Sequence, residues 1–415
     1  MKIIFLIVML INFAQASDAT IDVIKKVQAL PNIALEDATT DYDATFKLTF
    51  FKSIVADLNV LSIFNVDRHY KTGYFGDDVV VENKDVNYVL KYEMDEGDAH
   101  SLIVKVVLLK NREEVFSKTY RVGDSTVYMF VSHAIAYDLN EFMGEPSVEW
   151  MKRKVIFSRI VAPRKSEIVI ADYTLSYQKV VVQGGFSVFP KWANDEQNAF
   201  YYTSLDANEP KLLHVDLRTA KVTSLLSSQG MLVCSDVSKD GTKLLLTMAK
   251  YGQPDIFVYD TKRKRYKRVT TYSGIDVNGQ FLDKNKIVFI SNRLGYPNVF
   301  SKKIGSPDVE QMVYYGNSNS ACSVHGDYIV YKARESSNSF SKNTFNLHLI
   351  SQKTDFIRRL TATGVNEFPK FSKDGDAILF IKSYKFQSSI GIIRLAYNKN
   401  YLFPLKSGKI QSMDW

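Results

Sequence analysis

Two cysteines in 415 residues exclude a disulfide-rich scaffold, a thiolate-clustered metal site and an iron–sulfur centre. No G-x-S-x-G occurs, so the nucleophile elbow of the α/β-hydrolases is missing. The six histidines (His69, His100, His133, His214, His325 and His348) show no H-E-x-x-H or other ligand spacing. Residues 17–149 lack the glycine pattern of a nucleotide fold. Beyond the first 16 residues no stretch is long and apolar enough to cross a bilayer. These absences argue against catalysis, and no cofactor or metal is expected. What is present is 46% hydrophobic and 13% aromatic, a composition that builds cores rather than disorder.

The formal charge of +8 points loosely to nucleic acid until it is divided along the chain. From Ser17 to Glu149 there are 13 Lys+Arg against 23 Asp+Glu, net −10; from Trp150 to Trp415 there are 39 against 22, net +17. An acidic region is joined to a basic one, and the two present different faces to different partners.

Met1–Ala16 (MKIIFLIVMLINFAQA) has one Lys, a nine-residue apolar run from Ile3 to Ile11, and Ala14-Gln15-Ala16 at the positions a signal peptidase reads. Cleavage is expected between Ala16 and Ser17. No Cys follows the cleavage site, so a lipid anchor is not expected. The mature protein reads as exported, periplasmic and peripheral to membranes rather than spanning them.

Residues 17–149 read as an α/β domain. In Thr45–Asn59, Phe46, Phe50, Ile54 and Leu58 stand four apart and form one helical stripe. Strand-like runs follow at Val86–Tyr92, Ser101–Leu109 and Glu114–Arg121. Thr126–Met143 returns to helical spacing, with Asp124 or Ser125 as N-cap, Gly144 at the C-cap and Pro146 beyond. His133 falls in this helix and reads as a packed or capping residue. Two helices and at least three strands suggest a small sheet covered on one side.

From Trp150 onward an apolar anchor, a polar turn and a strand recur. The anchors Trp192, Val237, Phe281, Val324, Phe371 and Trp415 are separated by 45, 44, 43, 47 and 44 residues. About 20 residues after each anchor lies a further strand (Lys211–Leu217, Asp255–Asp260, Asn298–Lys303, Asn346–Ser351). Leu225, Val269, Met312 and Leu360 are expected on the strand after that. A period near 44 with four strands per unit is the pattern of an all-β propeller, and residues 150–415 hold six blades. Arg153–Ile160 lacks an anchor before it and Ile410–Trp415 has nothing after it, so the C-terminal strand is expected to complete the first blade and close the ring. Cys234 and Cys322 precede anchors two blades apart, on one rim; they read as small buried residues rather than a disulfide.

An exported chain, a small α/β domain and a six-bladed propeller together resemble the TolB family, the periplasmic component of the Tol–Pal system, whose repeats are WD40-like. Ile54–Phe64 (IVADLNVLSIF) resembles the family's first helix, and His133–Pro146 (HAIAYDLNEFMGEP) its second helix and the domain junction. Lys250–Asp260 (KYGQPDIFVYD), Phe289–Phe300 (FISNRLGYPNVF) and Asn346–Thr361 match its propeller repeats. The family's P-x-[W/F] survives fully only at Pro190-Lys191-Trp192 and Pro369-Lys370-Phe371; Val237 and Val324 replace the aromatic, and Asp-Gly turns remain at Asp240-Gly241 and Asp374-Gly375.

The resemblance implies a non-catalytic adaptor, a monomer within a multiprotein complex, that supports outer-membrane invagination during cell division and outer-membrane integrity. In the family, loops entering the anchor strands contact the peptidoglycan-associated lipoprotein Pal; by register these carry Met231, Cys234, Val277, Asn278 and Glu367. In the family the mature N-terminal peptide either packs between the domains or is released to bind TolA, which points to Ser17, Asp18, Ile21, Asp22 and Val23 within Ser17–Val27. The basic run Lys262–Arg268 falls on a hairpin turn and reads as a solvated turn; its functional version is contact with an acidic partner or anionic lipid headgroups, and no nucleic-acid partner is expected. Two alternatives remain on sequence alone, an exported propeller-bearing peptidase or hydrolase and a generic propeller scaffold with other envelope partners.

Overall fold

The computed structural model describes residues 30–75, 85–335, 344–354, 356–385 and 387–415. The leader with its Ala16/Ser17 cleavage site, and the segment Ser17–Val27, lie outside the described residues.

Where the sequence shows a stripe of residues four apart, the chain forms α1 (Ala44–Leu61). Asp43 caps it by accepting the Phe46 N–H at 2.7 Å, and Ser62, at φ 65°, ends it. The stripe Phe50, Ile54 and Leu58 is fully buried. α2 (Tyr128–Phe142) follows a single 3₁₀ turn, Ser125–Val127, in which Asp124 accepts the Thr126 N–H at 2.8 Å. Gly144, at φ +68°, lets the chain leave the helix.

A five-stranded sheet accompanies the helices. β1 (Asn32–Asp37) runs parallel to β2 (Asn65–Val66) and to β3 (Tyr88–Glu96); β4 (Leu102–Lys110) and β5 (Glu113–Val122) continue the sheet antiparallel. The expected strands become β3, β4 and β5, with β3 extending four residues further, to Glu96. β1 and β2 escape the sequence reading because neither alternates: β1 is buried along nearly all its length, and β2 has two residues. Within β1 even Glu36 is buried, 3.4 Å from the ammonium of Lys91.

From Val155 onward the described residues form six four-stranded antiparallel blades, the fifth and sixth joined into one eight-stranded sheet by a parallel bridge between Phe345 and Val365. Blade 1 pairs Lys409–Asp414, as its inner strand, with Val155–Ala162, then Lys165–Ala171 and Gln178–Gly185. The inner strands of blades 2 to 6 are Ser187–Trp192, Leu232–Val237, Asp276–Phe281, Asn317–His325 and Val365–Phe371. The C-terminal strand thus completes the first blade, as the sequence ends suggested. Outer strands are shorter than expected: Leu225 is on one, whereas Val269, Met312 and Leu360 come just past the last residue of theirs. Their N–H groups still donate to the carbonyls of Ile256, Val299 and Leu347, so each continues the pairing one residue past its strand.

Each neighbouring pair of blades buries its own apolar cluster, for example Ile168, Trp192 and Phe200 between blades 1 and 2. Blades 6 and 1 differ: Leu379, Ile392, Phe157 and Met413 belong to one cluster with Phe50, Ile54, Leu58, Ile135 and Leu139 of the helices. The N-terminal helices therefore share a core with that seam alone. Trp150 bridges it, with its ring 5.3 Å from that of Tyr173 and 5.7 Å from that of Trp415.

Charge is buried in the same seam. His133 on α2 is fully buried, with Nδ1 2.9 Å from Asp57 of α1 and Nε2 3.2 Å from Asp172 at the end of a blade 1 strand. Ser132 and Tyr173 also donate to Asp57. Both ring nitrogens face carboxylates, which can only accept, so the ring is an imidazolium. Burial alone would lower its pKa, but Asp57 and Asp172 raise it to about 9. Arg394 of blade 6, 1% exposed, donates to the carbonyls of Leu61 and Pro146. His133 is thus a packed residue, as expected, and also the ion that joins helix, helix and blade.

Two outcomes follow from this architecture. Removing 409–415 strips Val155–Ala162 of its inner-strand partner, deletes the buried Ile410 and Met413, each worth about 1.5–3 kcal/mol, and uncovers the apolar side chains of their cluster, such as Phe157; size-exclusion chromatography should show aggregation rather than a folded monomer. Because the folded His133 pKa of about 9 exceeds its ordinary 6.5, its contribution is complete below pH 6.5 and disappears as pH rises past about 9. Urea midpoints measured from pH 6 to 10 should fall over that interval, and His133→Gln should lose about 3–5 kcal/mol at pH 6 by leaving two buried carboxylates unpaired.

Candidate functional site

All six inner strands break register at the same place. Each supplies one residue more than its neighbour, between Val188 and Lys191, Cys234 and Asp236, Val277 and Gln280, Ser320 and Cys322, Glu367 and Lys370, and Ile410 and Ser412. These are β-bulges, which bend a strand and re-aim its side chains. At four of them the residue three before the anchor takes a left-handed backbone: Phe189 (φ 54°), Asn278 (54°), Ala321 (52°) and Phe368 (50°). That conformation is unusual for phenylalanine and costs about 1–3 kcal/mol. Pro190 and Pro369 sit inside the bulge, where the ladder leaves no N–H to be satisfied. The P-x-[W/F] motif is therefore a bulge signature: proline in the bulge, x toward the channel, aromatic as anchor.

The residue before each anchor forms a ring that alternates acceptors with donors. Blades 1, 3 and 5 contribute Asp414, Asp236 and Ser323; blades 2, 4 and 6 contribute Lys191, Gln280 and Lys370. Each acceptor takes a backbone N–H from the next blade's anchor: Trp192 to Asp414 at 3.0 Å, Phe281 to Asp236 at 2.8 Å and Phe371 to Ser323 at 3.2 Å. Gln280 donates to the Ser235 carbonyl at 2.9 Å. Lys191 lies 2.8 Å from Asp414 and 3.3 Å from Asp236. Burial would lower the Lys191 pKa, yet the two carboxylates hold it above the usual lysine value. Lys370 goes the other way, lowered by burial and by Lys191 despite Asp414 and Asp236.

Above this ring opens a cavity of about 190 Å³. Met231, Cys234, Val277 and Asn278 line it, so the structure brings together four of the five residues expected at the channel mouth. Glu367 does not line it; its carboxylate pairs with Lys332 at 2.8 Å, and its neighbour Phe368 faces the cavity. Sequence reasoning missed Phe189, Lys191, Phe368, Lys370, Ser412 and Met413, which complete the lining from blades 1, 2 and 6. Their signal was the anchor register itself: the residue three before the anchor lines the wall in all six blades, and the residue one before it does so in blades 2 and 6. Asn278 donates to the Cys322 carbonyl at 3.3 Å, joining blades 4 and 5.

The two ends of the ring differ. The N-terminal helices and the junction after them meet it where the inner strands end, His133 at Asp172, Ser147 at Asp374 and the Leu61 carbonyl at Arg394. The cavity opens where they begin, and the loops there expose Met231, Tyr251, Ile275, Tyr296, Tyr314 and Tyr384. An apolar rim around a narrow, partly charged channel is suited to docking a protein surface. Among the described residues no group of three or more His, Cys, Asp or Glu is placed to hold a metal ion, and no helix is long and apolar enough to cross a membrane. The run Lys262–Arg268 lies on and beside a hairpin of blade 3, where Arg263 pairs with Asp260 and Arg268 with Asp255.

Residues 151–415 match the model of the TolB beta propeller domain. The chain is 47% identical over 410 residues to a protein named Tol-Pal system protein TolB from Wolinella succinogenes, covering 96% of each chain. It is 41% identical to the protein of the same name from Campylobacter jejuni, covering 100% of both. The crystal structure of TolB from Acinetobacter baumannii superposes with a TM-score of 0.75 over 92% of this chain and 96% of that one, at 18% identity.

Cys234 and Cys322 are both free and buried. Burial pushes the Cys322 thiol up to about 12 and raises Cys234 as well. Ellman's reagent at pH 8 should therefore detect no fast-reacting thiol in the native protein and two after denaturation.

Proposed function

The chain belongs to the TolB family, and on that premise we propose that it is a non-catalytic periplasmic component of the Tol–Pal system. Its leader exports it, the α/β region of 17–149 and the propeller of 150–415 act as two domains, and the channel mouth docks Pal. The observation that carries this reading is the asymmetry of the ring: one end is covered at the seam of blades 6 and 1, and the other presents an apolar rim around an open cavity. Met231, Cys234, Val277 and Asn278 line that mouth, with Glu367 beside it, paired with Lys332.

The segment Ser17–Val27, with Ser17, Asp18, Ile21, Asp22 and Val23, engages TolA, as an extended peptide able to add a strand to a sheet edge would. Linking a lipoprotein anchored near the outer membrane to TolA at the inner membrane, the protein helps the envelope constrict at division and keeps the outer membrane intact. Other envelope proteins can use the same mouth.

Isothermal titration with the soluble domain of Pal tests the docking. Met231→Glu and Val277→Glu place a charge in the apolar mouth and should weaken binding tenfold or more, whereas Glu367→Gln should stay within about threefold. Undiminished binding by both mouth variants refutes the site. Deleting Ser17–Val27 should abolish TolA binding and spare Pal. Labelling of the purified protein by a fluorophosphonate would overturn the non-catalytic reading.

A further inference from the structure

The ring of residues before the anchors contains two lysines and two aspartates, and the pairing is uneven. Lys191 takes both carboxylates, Asp414 at 2.8 Å and Asp236 at 3.3 Å. Those carboxylates are further occupied by the N–H groups of Trp192 and Phe281. The ammonium of Lys370, which lines the same cavity, has neither a hydrogen bond nor an ion pair among the described residues. Lys370 shares the cavity wall with Lys191 of blade 2, Cys234 of blade 3 and Cys322 of blade 5, and Asp414 and Asp236 act on it without forming an ion pair. Its environment disfavours the cation, through burial first and Lys191 second.

An ammonium held in a narrow cavity without an ion pair of its own is poised for one. No carboxylate lines the wall: beside the two lysines it is apolar, or polar and uncharged as at Ser235, Thr247, Asn278 and Ser412, with two thiols raised well above neutrality. Supply must come through the mouth. A free small carboxylate would gain little from the exposed apolar rim, whereas a protein surface carrying an acidic side chain satisfies rim and ammonium together.

We propose that Lys370 is the recognition point for an Asp or Glu side chain that the docked partner inserts into the channel mouth. The inference deepens the docking reading above and rests on it for the identity of the partner. The bulge at 367–370 serves this contact: Phe368 at φ 50° and Pro369 fix the backbone so that Lys370 projects inward while Glu367 pairs outward with Lys332.

Lys370→Met keeps the length and removes the charge; thermal melting should show it folded, since an unpaired buried cation is lost. Titrated with the soluble domain of Pal, it should bind about 30-fold or more weakly than wild type. Lys370→Arg should stay within about fivefold, and Lys262→Met, on the distant hairpin, should match wild type. One Asp→Asn or Glu→Gln variant of Pal should lose the same factor against wild type and nothing further against Lys370→Met. Equal Pal binding by wild type and Lys370→Met, or no Pal carboxylate that couples to Lys370, overturns the inference. A second probe separates it from the docking reading: N-acetylglutamate at tens of millimolar should raise the melting temperature of wild type more than that of Lys370→Met. If Pal fails to bind wild type while that difference persists, the docking reading falls and the carboxylate site stands; if the difference is absent, the site falls.

Discussion

The closure of the ring is the pairing on which everything else depends. Lys409–Asp414 hydrogen-bonds to Val155–Ala162, so the last strand of the chain becomes the inner strand of the first blade. Closure leaves no sheet edge between the ends of the propeller. It also delivers Asp414 to Lys191 and to the N–H of Trp192, which completes the alternation of donors and acceptors around the channel. Without it the blades would still be hairpins, but Lys191 would lose one of its two carboxylates and the wall of the cavity would be open on one side.

The same seam fixes the N-terminal domain. Five of the six blade contacts hold private apolar clusters, and the sixth is shared with α1 and α2. Apolar burial supplies most of the adhesion, since it is proportional to area and indifferent to direction. Direction comes from the buried charges. Desolvating His133, Asp57 and Asp172 is costly, and in many proteins such groups contribute orientation more than stability. Here each has a partner on a different element, so a rotated domain would strand three ions. Arg394 has the same role, reaching the last carbonyl of α1, where the helix dipole is negative.

The helices and the blade period were legible because both rest on local repetition. Phe50, Ile54 and Leu58 are four apart whatever they pack against, and anchors near every 44 residues survive the loss of aromatic and Asp-Gly signals in several blades. β1 was not legible, because a strand buried on both faces carries no alternation, and its Glu36 reads as a solvated charge until Lys91 is found beside it. The candidate site was half legible. Loops entering the anchors pointed to Met231, Cys234, Val277 and Asn278, but counting by loop placed Glu367 where the bulge puts Phe368. A single extra residue in a strand moves every following side chain to the other face, and that shift cannot be read from periodicity.

The sequence by itself determined the order of elements, six repeats and a division of charge into −10 and +17, because these are properties of residues taken a few dozen at a time. Only the tertiary structure decided which residues meet: His133 with Asp57 and Asp172, and Lys191 with both Asp414 and Asp236 while Lys370 stands alone. Those partners lie 39 to 223 residues apart. What joins them is ring closure and bulge geometry, and both are set by packing across blades rather than by any local preference of the chain.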